Sequence, residues 1–199
     1  GGAGSNDGYN AGGGGGAGGV GGNAVASKAG DGGAGIDDAS VGNLLSAGTD
    51  SGVSGVIAGG GSGGQDTYRS LGIPTGGTGG GGYSGTANNT AASSTGIAGR
   101  TNTGSGGGAG NNYDGAPFSA GANGGSGLCK LSVVTTEWGD NTITGAGNLE
   151  ETDGANTIYT FKETGTLTMV AVASETPPSD QFIIFGFLLP ELFAIRRFL

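Results

Sequence analysis

The sequence predicts an irregular, all-β protein in three parts: a bundle of polyglycine-II-type helices (1–127), a small antiparallel β unit (128–175) and a hydrophobic C-terminal segment (176–199). Three observations predict it. Of the 52 glycines, 46 precede Leu128; a β-branched stretch begins there; large apolar residues crowd the end of the chain. Glycine buries no side chain and loses the most backbone entropy on ordering, so neither a conventional core nor an α-helix is expected before Leu128.

Six glycine-rich runs separated by five connectors make up the first part, at 12–22, 30–35, 59–64, 76–85, 104–110 and 121–127. From Gly15 the chain repeats Gly-Gly-X with Ala17, Val20 and Asn23 at X, which places one side chain on each turn of a threefold extended helix. Such a helix has no internal hydrogen bonds, so its polar groups must bond to neighbouring helices. A flexible linker is the alternative. Apolar connector residues such as Val53 and Ile57 favour an ordered bundle.

The next stretch, from Leu128 to Trp138, is rich in β-branched residues and predicts a strand, in which Cys129 serves as a small apolar side chain. Two alternating runs within 157–172 flank Glu163-Thr164-Gly165 and predict a β-hairpin.

The tail, residues 181–199, is interrupted by Pro190 and is too short to span a bilayer comfortably. It is interpreted as a buried segment or an assembly interface, with an interfacial membrane anchor as the alternative. The predicted interface residues are Phe182, Phe185, Phe187, Leu188, Leu192 and Phe193.

Composition excludes several function classes. The net charge of −9 disfavours a protein that tracks nucleic-acid phosphates. The chain has no histidine, so a Ser-His-Asp or Cys-His centre is impossible. One match to the calcium-binding nonapeptide, at 32–39, lacks the tandem copies that share ions between turns. The sequence therefore predicts a non-enzymatic protein with no catalytic residues, no metal site and no cofactor.

Several motifs resemble the glycine-rich domains of tailed-bacteriophage fibres. They are the glycine-rich stretches at 15–24, 58–64, 79–85 and 124–128, together with the Tyr-Thr-Phe-Lys-Glu-Thr-Gly-Thr-Leu-Thr-Met element at 159–169. The resemblance implies a polyglycine helix bundle whose connectors form a receptor-binding tip, as in distal adhesins, and a location on the virion. It also implies as partners a host cell-surface receptor (a polysaccharide or an outer-membrane protein), other virion proteins and a homo-oligomer. Nucleic acid is not an expected partner, because of the net charge of −9.

If the six runs fold back and forth, the first, third and fifth connectors share one end of the bundle, and the second and fourth share the other. The first set contributes Lys28, Asp66, Tyr68, Arg69, Tyr113, Asp114, Pro117 and Phe118. Tyrosine and arginine are enriched at binding hot spots, so the candidate receptor-binding residues are Tyr68, Arg69, Tyr113, Asp114 and Phe118. Asp66 and Asp114 are expected to hydrogen-bond surface sugars. The second connector carries Leu44, Leu45, Val56 and Ile57, which suit packing against another unit.

The function expected is that of a virion structural protein (a tail fibre, an adhesin or a capsid-surface decoration) that attaches to the host cell surface. Two alternatives stay open. The aromatic residues could simply cap the bundle, and the protein could be purely structural, a glycine-rich lattice or fibre that self-assembles through its C-terminal tail.

Overall fold

A computed structural model describes residues 1–6, 9–37, 55–68, 72–85, 94–113, 119–172 and 196–198. These residues contain β-strands and extended segments but no α-helix, so the all-β class is confirmed for them. The strands, in chain order, are β1 Ile36–Asp37, β2 Val56–Ile57, β3 Cys129–Val134, β4 Trp138–Ile143, β5 Leu149–Asp153, β6 Asn156–Phe161, β7 Leu167–Ala171 and β8 Arg196–Phe198.

The small β unit predicted after Leu128 consists of two three-stranded sheets. One has the order β3-β6-β5 with antiparallel neighbours; the other has the order β4-β7-β8, in which β4 and β7 are antiparallel and β8 runs parallel to β7. One buried cluster contains side chains from both sheets. Its members are Leu131, Val133, Tyr159, Phe161, Leu167 and Met169, with Cys129, Trp138 and Ile143 packed against it. The expected apolar role of Cys129 in a strand is confirmed.

The predicted hairpin at 157–172 is wrong. Strand β6 is the central strand of its sheet, paired with β3 and β5, whereas β7 pairs with β4 in the other sheet. Both runs alternate apolar residues because both face one core, and this pattern does not distinguish a hairpin from a crossover between sheets. The actual hairpin joins β5 to β6 through Gly154 and Ala155, and Gly154 takes the positive φ (60°) that a two-residue loop requires.

The single strand predicted from Leu128 to Trp138 is also divided. The chain turns after Val134, where the N–H of Glu137 donates to the carbonyl of Val134 at 3.0 Å, and Trp138 begins β4 in the second sheet. The β-branched run therefore forms β3 and the turn after it, and only its last residue, Trp138, belongs to the second sheet.

The glycine-rich part has more segments than the six predicted. Its described residues form ten, which alternate in direction: 1–5, 10–16, 20–25, 28–35, 58–66, 72–77, 81–85, 94–100, 104–112 and 119–126. The run at 12–22 reverses at Ala17–Gly19, where the N–H of Gly16 donates to the carbonyl of Gly19, and the run at 76–85 reverses at 78–80. A longer segment would extend past the neighbours that satisfy its polar groups, so the chain folds back.

Backbone hydrogen bonds between these segments recur every third residue. The N–H groups of Ala11, Gly14 and Ala17 donate in turn to the carbonyls of Gly64, Gly61 and Ala58 at 2.9, 2.9 and 3.0 Å. Segment 58–66 also bonds to four further segments, namely 28–35, 72–77, 81–85 and 104–112. A strand in a sheet has two neighbours, whereas this segment has five, so hydrogen bonds spread around it in three dimensions.

Close backbone approach explains the glycine content. A Cβ built at Gly61 would lie closer than 3.0 Å to the carbonyl of Gly107, and one at Gly77 would meet the carbonyl of Gly33 in the same way. The obstacles are backbone atoms, which cannot rotate away as a flexible side chain would. Glycine is therefore required at these positions by packing between segments.

Candidate receptor-binding end of the glycine-rich region

Three of the connectors predicted to share an end do so in the described residues. A β-bridge joins Gln65 to Asn10, another joins Asp66 to Asn112, and the side-chain amide of Asn10 donates to the carbonyl of Val25 at 2.9 Å. The described residues of the first, third and fifth connectors, at 25–28, 66–68 and 112–113, therefore cluster as expected. We call this cluster the tyrosine end. The fourth connector differs from expectation, because 94–100 forms a further segment within it.

The tyrosine end carries a pair of aromatic rings in contact with each other. Tyr68 and Tyr113 form an edge-to-face contact with ring centroids 5.5 Å apart and an interplanar angle of 86°. Tyr68 is 52% exposed and Tyr113 is half-buried. Such a geometry is favourable for aromatic pairs and holds both rings in place with little loss of rotamer freedom on binding.

A layer of buried polar residues adjoins the tyrosine pair. Thr67 is fully buried and donates through both its N–H (3.0 Å) and its hydroxyl (2.8 Å) to the carbonyl of Asn112. The N–H of Gln65 donates to the side-chain oxygen of Asn111, whose amide donates to the carbonyl of Gly85. These bonds cross between segments far apart in the chain and fix the backbone on both sides of the rings.

Two acceptors in this layer lack a partner. Among the described residues, Oε1 of Gln65 and Oδ1 of Asn112 are buried and receive no hydrogen bond. A buried acceptor without a donor costs about 1–3 kcal/mol. The tyrosine end therefore has lower local stability than its dense hydrogen bonding alone would give.

Asp66 has a structural position instead of the sugar-binding one predicted for it. The residue is only 3% exposed, and its Oδ1 accepts a hydrogen bond from the N–H of Tyr68 at 3.0 Å. Aspartate commonly makes this bond to the backbone two residues on, because its short side chain reaches that N–H. Asp66 therefore orients the loop that carries Tyr68, and the prediction that its carboxylate faces surface sugars is wrong.

Tyr9 is a site residue that sequence reasoning missed. Its carbonyl accepts the N–H of Asp66 at 3.1 Å, which brings its backbone to the tyrosine end, and its side chain is exposed. It lies before the first glycine run, so the count of connectors did not include it. A tyrosine beside Asn10, ahead of a glycine run, is the only signal that the sequence offers.

Lys28 forms an ion pair with Asp31 inside segment 28–35, and Asp31 in turn accepts a hydrogen bond from segment 72–77. Its Nζ lies 2.7 Å from Oδ2 of Asp31, whose Oδ1 accepts the N–H of Thr75 at 2.6 Å. Burial works against ionisation of Asp31, but the hydrogen bonds from Lys28 and Thr75 outweigh it, so the pKa of Asp31 lies below its ordinary value. Lys28 is therefore committed to Asp31 instead of being free for a ligand.

Comparisons with protein-family models, curated proteins and solved structures found no match.

Several predicted site residues lie outside the described part of the chain. They are the candidate receptor-binding residues Arg69, Asp114 and Phe118, and the candidate interface residues Phe182, Phe185, Phe187, Leu188, Leu192 and Phe193. Leu44 and Leu45 of the second connector lie outside it as well, while Val56 and Ile57 form β2 and pair with β1.

The described residues contain no cluster of three acidic, cysteine or histidine side chains placed to hold a metal ion. Within the same part of the chain, no helix long and apolar enough to cross a membrane is found. The chemistry that the tyrosine end offers is aromatic contact area on a backbone held by hydrogen bonds.

Proposed function

We propose that the protein is a structural component of a tailed-phage virion (a tail fibre, an adhesin or a capsid-surface decoration) that attaches to the host cell surface through the tyrosine end. The observation that carries this is the contact between Tyr68 and Tyr113, which come from loops 45 positions apart and meet at 5.5 Å. The resemblance of the glycine motifs to phage fibre domains suggests where the surface acts. No group for acid–base or nucleophilic catalysis is part of the proposal, so binding is by surface complementarity.

The proposed scaffold is a bundle of polyglycine-II-type helices. Three facts support it. First, backbone N–H donors recur at every third residue, which is the repeat of a threefold helix. Second, segment 58–66 bonds to five neighbouring segments, which requires a three-dimensional array. Described glycines with positive φ lie at turns and bends, at Gly55, Gly79, Gly80, Gly104, Gly145 and Gly154. Glycine accepts either sign of φ, so this consistency supports helices of a single hand.

Such a scaffold suits a binding tip. Each helix is held on several sides by backbone bonds, so the loops between helices begin and end at fixed points. Binding residues are commonly carried on loops held by a rigid framework. An aromatic pair fixed in this way loses little conformational entropy when it contacts a sugar ring or a protein surface.

The test is binding of the fluorescently labelled full chain to a panel of bacterial cells and to arrayed cell-surface polysaccharides. Truncating two central aromatic residues is expected to weaken binding at least 30-fold, since hot-spot residues contribute roughly 2 kcal/mol or more each. The variant is Tyr68→Ala with Tyr113→Ala. The control is Val20→Ala with Ile97→Ala, which removes two exposed apolar side chains from other positions. Binding that the tyrosine double variant retains, or that both pairs lose equally, would refute the assignment.

A second candidate function, self-assembly through the C-terminal tail, is favoured by the pairing of β8. This strand adds to β7 in parallel, with Thr168 opposite Arg196 and Val170 opposite Phe198. Strand addition at a sheet edge is a common way for one chain to join another. Deleting residues 176–199 is expected to convert an oligomer to a monomer in light-scattering measurements, and a wild-type chain that is monomeric at all concentrations would exclude this function.

A further inference from the structure

A cleft lies beside the turn at 78–80, away from the tyrosine end. Its volume is about 480 Å³, and its wall is formed by 76–81 together with Val56, Tyr83, Ala98 and Arg100. Consecutive segments alternate in direction, so the turns at 78–80 and 101–103 fall at the opposite end of the segments from Tyr68 and Tyr113. The cleft is therefore a separate surface.

The glycine turn in this wall has backbone N–H groups without an acceptor among the described residues. Its three carbonyls all accept hydrogen bonds: those of Thr78, Gly79 and Gly80 accept from the backbone N–H groups of Gly35, Gly59 and Arg100, respectively. Their three N–H groups, by contrast, donate to no acceptor within the described part of the chain. Gly79 and Gly80 have φ values of 92° and 95°, which other residues rarely adopt. Successive N–H groups in turns of this kind form anion-binding concavities.

Arg100 adds a positive charge to the same wall. It is exposed, and no carboxylate of the described residues lies within ion-pair distance of its guanidinium. Its N–H donates to the carbonyl of Gly80 at 2.9 Å, which fixes its backbone beside the turn. Arg100 thus places a positive charge on this wall in a chain whose net charge is −9. A guanidinium and N–H groups together match a carboxylate well, because both provide directed donors.

The remaining wall is apolar. Tyr83 is 46% exposed, and Val56 is half-buried beside it in the cleft. An apolar wall with a few polar groups is typical of small-ligand sites, and an aromatic face supports a sugar ring. We propose that this cleft binds an acidic saccharide, with the carboxylate at Arg100 and the turn at 78–80, and the sugar ring against Tyr83. The proposal goes beyond host attachment by the tyrosine end and does not rest on it.

The test is a titration of the ¹⁵N-labelled full chain followed by amide chemical shifts. The probes are D-glucuronate and N-acetylneuraminate, with D-glucose as the neutral control and inorganic phosphate as the anion that has no ring. We expect both acidic sugars to shift the Gly79 and Gly80 amides, glucose to leave them unchanged, and phosphate to bind more weakly. Binding should weaken with added salt, because it depends on charge.

Matched variants separate the charge from the ring. Arg100→Gln should weaken acidic-sugar binding at least 10-fold, because a charge-assisted hydrogen bond is lost, whereas Lys162→Gln, which removes a charge in the β unit, should not. Tyr83→Ala should weaken sugar binding and spare phosphate. The proposal is overturned if neither acidic sugar shifts these amides, if phosphate binds more tightly than both sugars, or if Arg100→Gln binds like the wild type. Arg100 and Tyr83 are exposed, so their substitution should keep the fold, and the amide spectrum reports whether it does.

Discussion

Gly60→Ala is the perturbation that tests the packing of the glycine-rich part most directly. Gly60 lies in the segment that bonds to five others; its N–H donates to Gly33 at 2.9 Å, and its carbonyl accepts from Gly77 at 2.8 Å. A Cβ at this position would lie closer than 3.0 Å to the carbonyl oxygens of Gly14 and Gly15. A neighbouring segment would have to move away, and both hydrogen bonds would lengthen.

The expected loss of stability is about 3 kcal/mol. Overpacking costs about 1–3 kcal/mol, and two weakened hydrogen bonds cost about 0.5–1.5 kcal/mol each. Alanine restricts the unfolded chain and offsets about 0.4–1 kcal/mol of this. For a chain of this length about 1 kcal/mol corresponds to roughly 2–4 °C in melting temperature, so the variant should melt about 6–12 °C below the wild type.

The matched control is Gly15→Ala, the same glycine-to-alanine change in another segment of the glycine-rich part. The nearest heavy atom to a Cβ there is the carbonyl oxygen of Gly19 at 3.8 Å, which is ordinary van der Waals contact. This variant should be neutral or more stable by up to about 1 kcal/mol. Both are measured by thermal and urea unfolding followed by circular dichroism. Equal stabilities of the two variants, or a Gly60→Ala protein that melts at or above the wild type, would refute close packing of these segments.

Two further predictions concern the core and the ion pair. Met169→Ala should cost about 2–5 kcal/mol of unfolding free energy, because it empties part of the cluster between the sheets. Val170→Ala, at the next, exposed position of β7, should change it by no more than about 0.5 kcal/mol; similar losses in denaturant unfolding would contradict the assigned core. The pKa of Asp31 is depressed in the folded state, so its ion pair adds stability above the unfolded pKa, and this is lost as pH falls through the folded value. Because both side chains are partly exposed, the gain is roughly 0–1 kcal/mol. The Asp31→Asn variant should therefore have a lower unfolding free energy than the wild type at pH 7, and this difference should shrink below roughly pH 4. A difference that stays constant from pH 7 to pH 2 would exclude the ion pair as its source.

Much of the β unit was predictable from residue type, and its pairing was not. The β-branched run after Leu128 and the alternation near Tyr159 correctly indicated strands. Alternation reports which face is buried, however, and not which strand lies alongside, so the hairpin centred on Thr164 was a wrong prediction. Gly154, which occupies the first position of the two-residue loop, is a familiar hairpin signal that identifies the true turn and could have been used.

At the candidate site, the sequence indicated that Tyr68 and Tyr113 would share an end, because segments that alternate in direction place every second connector together. Between these two residues the chain makes two reversals that were not predicted, one at 78–80 and one that comes with the segment 94–100, and two extra reversals leave that parity unchanged. The sequence did not predict which side chains are exposed. Asp66 is buried, because its carboxylate bonds to the nearby backbone. Tyr9 reaches the site through a backbone hydrogen bond, which no pattern of side chains predicts.

The sequence by itself determined the kind of interaction that holds the first part of the chain together. Glycine without side chains permits close backbone contact and requires polar groups to be satisfied between segments. The tertiary structure alone decided which segments are neighbours, where the runs reverse and that Thr78–Gly80 lies beside Arg100. The physical reason is that a glycine run has no side chain to specify a partner. Its neighbours are chosen by which arrangement pairs the most backbone N–H and C=O groups at once.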